Sequence, residues 1–191
     1  MNQPKKSFLL AAFFIFCLSL TASFAQTPIN KSSEPSFDVI LQAVVGSNDG
    51  NKSDVASSLS GIVKKLKADF PFSNFRLTST SIQRVSNRSG VSSKNISFTP
   101  EKNLAVYSTL TFDGLEVSID ESGQEMFQVR RFGFNQQIPI TNSIGAINYE
   151  SINLNGNFSL IRNEPTVIGS LSTLKPDELM FLIMTVKSAE K

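Results

Sequence analysis

The chain has 191 residues, no histidine and one cysteine, with 18 Lys and Arg against 16 Asp and Glu. Without an imidazole it cannot build a Ser-His-Asp triad, a Cys-His dyad or a usual zinc site. Its near-neutral charge gives no broad attraction for phosphate backbones, which argues against nucleic acid as a partner.

The N-terminus carries Lys5 and Lys6, then an apolar run over 8–20, then Ser23, Phe24 and Ala25. A positive start, a short apolar middle and small residues at the cut are the order of a signal peptide, here residues 1–25. The apolar run is shorter than the roughly 20 residues a spanning helix needs. The expectation is therefore export, to a periplasmic or extracellular location. Cleavage removes Lys5, Lys6 and Cys17, leaving sixteen charges of each sign and no thiol. No disulfide is then available, so stability must come from packing. No later apolar stretch is long enough to cross a membrane as a helix, so no span is expected after signal removal. Residues 26–36, with two prolines and three serines, read as a flexible lead-in.

Residues 37–88 read as a strand–helix–strand module. Phe37, Val39, Leu41, Ala43 and Val45 alternate onto one face, with Ile40 and Val44 on the other, so both faces of this strand are expected to be covered. Residues 47–52 are turn chemistry. Ser53 or Asp54 can cap a helix in which Val55, Leu59, Ile62, Val63, Leu66 and Phe70 recur at helical spacing. Lys64, Lys65 and Lys67 fall on its wet side, and Pro71 ends it. A second strand follows over 75–85. A right-handed crossover would make the two strands parallel, if they share a sheet.

After a Ser- and Asn-rich loop over 86–93, residues 95–188 read as an antiparallel, sandwich-like β region. Leu104, Val106, Leu110 and Phe112 alternate with polar residues. So do Leu115, Val117 and Ile119. Asp113-Gly114 between them signals a two-residue hairpin pairing Phe112 with Leu115 and Leu110 with Val117. A strand follows over 125–134. A second hairpin is expected between 147–154 and 157–162, across Asn155-Gly156. Strands are also expected over 166–171 and 179–187, the last an interior strand. The fold class is thus α+β.

Four patterns bear on chemistry. Ser172-Thr173-Leu174-Lys175 has the spacing of a serine acyl-transferase motif but sits in a loop before Pro176 without that motif's partners. Asp113, Glu116, Asp120, Glu121 and Glu125 form an acidic cluster that reads as a solvated sheet surface; a glycosidase would need two acids facing a cleft. A calcium loop starting at Asp49 fails, because Asp54 stands at the glycine position and Ser60 at the twelfth. Arg130 and Arg131 are adjacent in a strand, so alternation would send them to opposite faces. No cofactor or metal is expected.

The segments 147–154, 164–171 and 179–186 resemble the closing part of the secretin family, the outer-membrane pore proteins of type II and type III secretion and of type IV pili. Residues 37–85 are broadly similar to that family's periplasmic modules. Ser170 replaces the family's second turn glycine, and Lys187 and Ser188 stand where a proline is expected. The resemblance implies a reduced, soluble relative.

The expected function is that of an exported, non-catalytic protein that binds or scaffolds a cell-envelope partner through exposed strand edges. The candidate partner-binding residues are Gln136, Gln137, Ile138 and Ile140, where Pro139 suits an edge, together with Thr166 and Val167. The alternatives are a carboxylate-dependent hydrolase acting on glycans and a carrier for an apolar ligand, whose cavity phenylalanines could line.

Overall fold

The computed structural model describes residues 35–49, 54–99 and 103–189. The expected signal peptide and nearly all of the lead-in lie outside the described residues. The described chain is mostly β, with two antiparallel sheets and one short helix. Its elements are β1 (Ser36–Ser47), a 3₁₀ turn (Ser57–Leu59), α1 (Ser60–Asp69), β2 (Asn74–Ser86), β3 (Val91–Phe98), β4 (Ala105–Phe112), β5 (Gly114–Ile119), β6 (Glu125–Thr141), β7 (Ile147–Ile161), β8 (Thr166–Ser172) and β9 (Glu178–Ser188).

One sheet has the order β2-β1-β9-β8, so the first two strands and the last two share it. β1 and β9 are central and need side chains that tolerate burial on both faces. Phe37, Val39, Leu41, Ala43 and Val45 of β1 and Met180, Leu182, Met184 and Val186 of β9 enter the core between the two sheets. Val44, Phe181 and Ile183 point the other way, to α1.

The strand–helix–strand unit exists, but β1 and β2 are antiparallel neighbours and not parallel ones. Ser47 lies opposite Asn74, so the helix is an excursion that leaves and returns at the same end. Length explains this: the 12 residues of β1 span about 40 Å, whereas the ten of α1 span about 15 Å. Such a helix cannot carry the chain back along the strand. Its first turn also differs from expectation. Asp54 does not cap it; the Asp54 amide donates to Phe75 O (3.1 Å) and its carbonyl accepts from Leu77 N (3.0 Å). The helix proper begins at Ser60 with no side-chain cap and ends at Asp69, and Phe70 before Pro71 is already extended. Leu59, Val63 and Leu66 cover the outer face of the sheet beside an aromatic cluster. Phe181 meets Phe70 edge-on at 4.8 Å between centroids and lies within 6.4 Å of Phe72.

The second sheet is built around β6, a 17-residue strand. β7 pairs along one side of it, from Met126↔Ile161 to Thr141↔Ile147. On the other side β5 and β4 pair end to end, with Gly114↔Arg130 and Thr111↔Gly133. Asp113-Gly114 is therefore no hairpin: Leu110 pairs with Phe134, Leu115 with Val129 and Val117 with Phe127. Face sorting survives this correction because an apolar partner is still met on the dry side, as the core cluster of Leu110, Phe112, Leu115, Phe127, Val129, Phe132 and Phe134 records. Asn155-Gly156 is likewise no turn but the middle of a continuous β7. Gly156 is needed because a Cβ there would stand 2.8 Å from the Phe158 ring.

Two of the hairpin turns, β5–β6 and β6–β7, share another design. Asp120 and Asn142 each precede a positive-φ glycine by three residues, Gly123 and Gly145. Asp120 Oδ1 accepts from the Ser122 and Gln124 amides (2.9 and 2.8 Å), and Asn142 Oδ1 from those of Ile144 and Ala146 (3.1 and 2.8 Å). The side chain thereby satisfies amides that the turn would leave open.

Arg130 and Arg131 are also corrected. Between Val129 and Phe132 the β6–β7 register shifts, and Arg131 takes φ 48°. This bulge breaks alternation, so both arginines are exposed, where Arg130 meets Glu116 (2.7 Å) and Arg131 meets Asp113 (2.8 Å).

Two outcomes follow. Phe181→Ala, which deletes a fully buried ring from the helix-side cluster, should cost about 3–5 kcal/mol in urea unfolding, with the slope unchanged; a loss under 1 kcal/mol would contradict the packing role. The hydrogen bond from Ser122, joined by that from Gln124, holds the Asp120 carboxyl below its usual value. A depressed pKa contributes stability that is present above the unfolded value, about 3.9, and lost as pH falls through the folded one. Asp120→Asn should therefore fold near neutrality, as Asn142 performs the same task, and show a shallower loss of stability on acidification below about pH 4. An unchanged acid limb would contradict this. A residual slope is expected from Asp38, which hydrogen bonds from Arg84 also hold low.

Candidate functional site

β2 and β3 follow one another through the tight connection 87–90, yet they do not pair. β2 stays in the first sheet and β3 crosses to the second. The corner is built for close approach: Arg88 has φ 63°, its amide donates to Leu115 O (2.7 Å), and a Cβ on Gly90 would lie 2.9 Å from Phe112 O. From this corner the two strands diverge. On the opposite side the sandwich is shut, with Gly169 of β8 so near Leu154 of β7 that a Cβ would lie 2.6 Å from the leucine.

The divergence leaves a groove of about 830 Å³ between the sheets. Its floor is apolar: Leu41, Ala43 and Val45 of β1, Met180 and Leu182 of β9, and Val106, Leu110, Phe134 and Ile138 of the second sheet. Its rim is uncharged and polar, with Ser79, Ser81 and Gln83 on β2 and Asn95 and Ser97 on β3. The register explains the change of character: Ser81 lies opposite Leu41, Ser79 opposite Ala43, and Ser97 opposite Val106, so small polar residues of the edge strands share the inner face with apolar residues of the inner ones. Three large apolar residues of the two edge strands, Ile82, Ile96 and Phe98, border the groove; they alternate with the inward residues, so their side chains face the outer sides of the sheets, exposed to 61%, 62% and 59%.

Arg76 is the charged residue of the groove lining. Its Nη2 meets Glu178 Oε1 at 3.2 Å, and Lys175 Nζ lies 3.5 Å from the same oxygen. The Arg76 Nε is buried without an acceptor. Among the described residues no carboxylate lines the groove. The acidic cluster expected as an alternative site is dispersed over ion pairs and a turn. Asp113 and Glu116 engage Arg131 and Arg130, Glu125 engages Arg162, and Asp120 closes its hairpin. Ser172 ends β8 and Lys175 turns to Glu178, so the acyl-transferase spacing assembles no nucleophile and base. Among the described residues no group of acidic, histidine or cysteine side chains is arranged to hold a metal ion.

The six expected partner-binding residues are scattered. Gln136 and Ile138 line the groove, where Gln136 Nε2 donates to Ser108 Oγ (3.2 Å). Gln136 and Gln137 are not edge residues, as each pairs with β4 on one side and β7 on the other. The β4 ladder stops at Gln137, so Ile138, Pro139 and Ile140 pair with β7 alone; Pro139, with no amide to donate, falls just past the end of that ladder. Thr166 and Val167 lie on β8, the edge of the first sheet, and line a separate depression beside α1 with Ile62, Leu66 and Phe70. The sequence reading missed the groove because it read 86–93 as loop and found no strand over β3. Val91, Ile96 and Phe98 are its only apolar members, too few to signal a strand, and it is held by its ladder to β4.

The segments resembling secretins form the first half of β7, β8 and most of β9. No family model matches the chain, and neither does any curated protein. Among solved structures, the β-barrel of the InvG secretin domain from the Salmonella SPI-1 injectisome NC-base is similar at TM-score 0.42 and 9% identity, covering 95% of this chain and 68% of that one. This is a weak structural resemblance.

Proposed function

We propose that this is an exported, non-catalytic protein that binds a cell-envelope component in the groove between β2 and β3. The observation that carries the reading is the groove itself. A sandwich closed on its β7–β8 side is open on the other, with core residues as its floor. An apolar concavity with a few polar groups at its rim, within the roughly 300–1,000 Å³ of ordinary ligand sites, is the expected form of a binding site. The signal-like N-terminus supports an envelope location. Among the described residues the lining holds no acid, which favours recognition over bond cleavage. The partner is expected to be a protein of the same compartment. The secretin-like segments form the shut side and centre of the sandwich, away from the groove mouth, so the binding reading does not depend on kinship with that family.

The test is site-specific photocrosslinking in envelope preparations. A photoreactive residue at Ser97 or Ile138, both on the groove, should give a discrete adduct that the same residue at Glu121, in the hairpin turn at the opposite end of β6, does not. Identical adducts from all three positions, or none from the groove, would remove the proposal.

A further inference from the structure

Resting on the groove as the binding site, we infer that its occupant is an extended segment of a partner polypeptide, added as a strand along β2 and carrying an acidic group at the Arg76 end. Three observations converge on this. The first is the state of the two rails. β2 pairs with β1 and β3 with β4, and neither has a strand on its groove side among the described residues. A ligand that fills the groove takes these edges out of water, and a buried backbone group without a partner is costly. An acyl chain matches the floor and leaves both rails unpaired. An extended peptide matches the floor with alternate side chains and the rail with its own amides and carbonyls.

The second observation is that this rail already pairs where the chain supplies a partner. Asp54 makes a one-residue parallel bridge to Arg76, through bonds to Phe75 O and from Leu77 N. The edge that lines the groove starts directly after it, at Thr78, and continues to Gln83. Those six residues give a track of about 20 Å, one short strand in length. The register shift between Ala43 and Val44 falls at the junction, so the free run is set off from the occupied one.

The third is charge. Among the described residues the lining is neutral except at Arg76, which stands at the Asp54 end of the track. Glu178 is shared between Arg76 and Lys175, and the Arg76 Nε still lacks an acceptor. Two cations share one carboxylate, and the surplus positive charge at the half-exposed Arg76 fits a glutamate, an aspartate or a terminal carboxylate on the occupant. Side chains pointing inward on that strand should be apolar, to meet Leu41, Ala43, Leu110 and Phe134. Those pointing outward are unconstrained.

The test uses a library of N-acetylated heptapeptides, selected on the purified protein and counter-selected on a Ser81→Trp variant whose groove is filled. Selected peptides should alternate apolar residues and carry an acid near one end. Methylating alternate backbone nitrogens of a selected peptide should weaken it by about tenfold or more in one of the two frames, since one frame faces the rail. Arg76→Gln should abolish the preference for the acid while leaving the apolar alternation. Because methylation alters the ligand alone, misfolding of a variant cannot mimic it. Equal binding after methylation in either frame, preferential groove occupancy by oleate, absence of any groove-dependent peptide, or self-association through the groove in sedimentation would each overturn the inference. Should groove crosslinks at Ser97 persist while peptides fail, the strand is wrong and the binding groove stands.

Discussion

The corner at 87–90 governs the rest of the molecule. A two-strand turn would ordinarily lay β3 beside β2 in one sheet. Here the Gly90 backbone packs directly on the Phe112 carbonyl and Arg88 adopts a left-handed conformation, so the chain is passed from one sheet to the other. Among the described residues each sheet then ends on that side in an edge strand, met only where Asp54 bridges Arg76, and the hydrophobic layer between them is left without a cover. The opposite side has no such corner. There β7 and β8 come together over Gly169, and the layer is sealed. The groove is the direct consequence of closing a sandwich on one side only.

The edge strands are matched to that exposure. Along β1 every inward residue from Phe37 to Val45 is apolar, whereas the partners of Val39, Leu41 and Ala43 on β2 are Gln83, Ser81 and Ser79. β3 repeats the pattern, with Ser93 and Ser97 opposite Leu110 and Val106. Small polar side chains hold a strand without demanding burial, and they blunt an edge that would otherwise promote aggregation. Ile82, Ile96 and Phe98 alternate with these residues on the outer faces of the two edge strands, where they are exposed.

Much of this was legible in the amino-acid sequence, and the failures have physical causes. Alternation identified β1 and the inward faces of β4 and β5, and a run apolar on both faces identified β9, because burial imposes both patterns. It could not say which strand pairs with which. Asp113-Gly114 and Asn155-Gly156 have the composition of hairpin turns, yet both lie within extended runs. Long-range pairing along β6 holds Gly114, and the Phe158 ring excludes a side chain at Gly156. The spacing that does close hairpins, an Asp or Asn three residues before a glycine, was present at Asp120 and Asn142. The α1 excursion was readable as a helix, but its short length, and not its pattern, decided that β1 and β2 run antiparallel. Gln136 and Ile138 reached the groove although they were chosen as edge residues, because β6 is central and its inner face, not its backbone, lines the site. β3 carried almost no signal, and with it the groove was invisible.

The central claim is that the β2 and β3 rails stand open in the free protein and close when the groove is filled. Hydrogen–deuterium exchange measures this directly. In the isolated protein, alternate amides over 78–83 and 95–99 should exchange far faster than those of β1 and β9, and should gain protection when a groove-bound partner is present. Protection over 78–83 and 95–99 equal to that of β1 and β9 in the free protein, or unchanged exchange there on partner binding, would contradict the account.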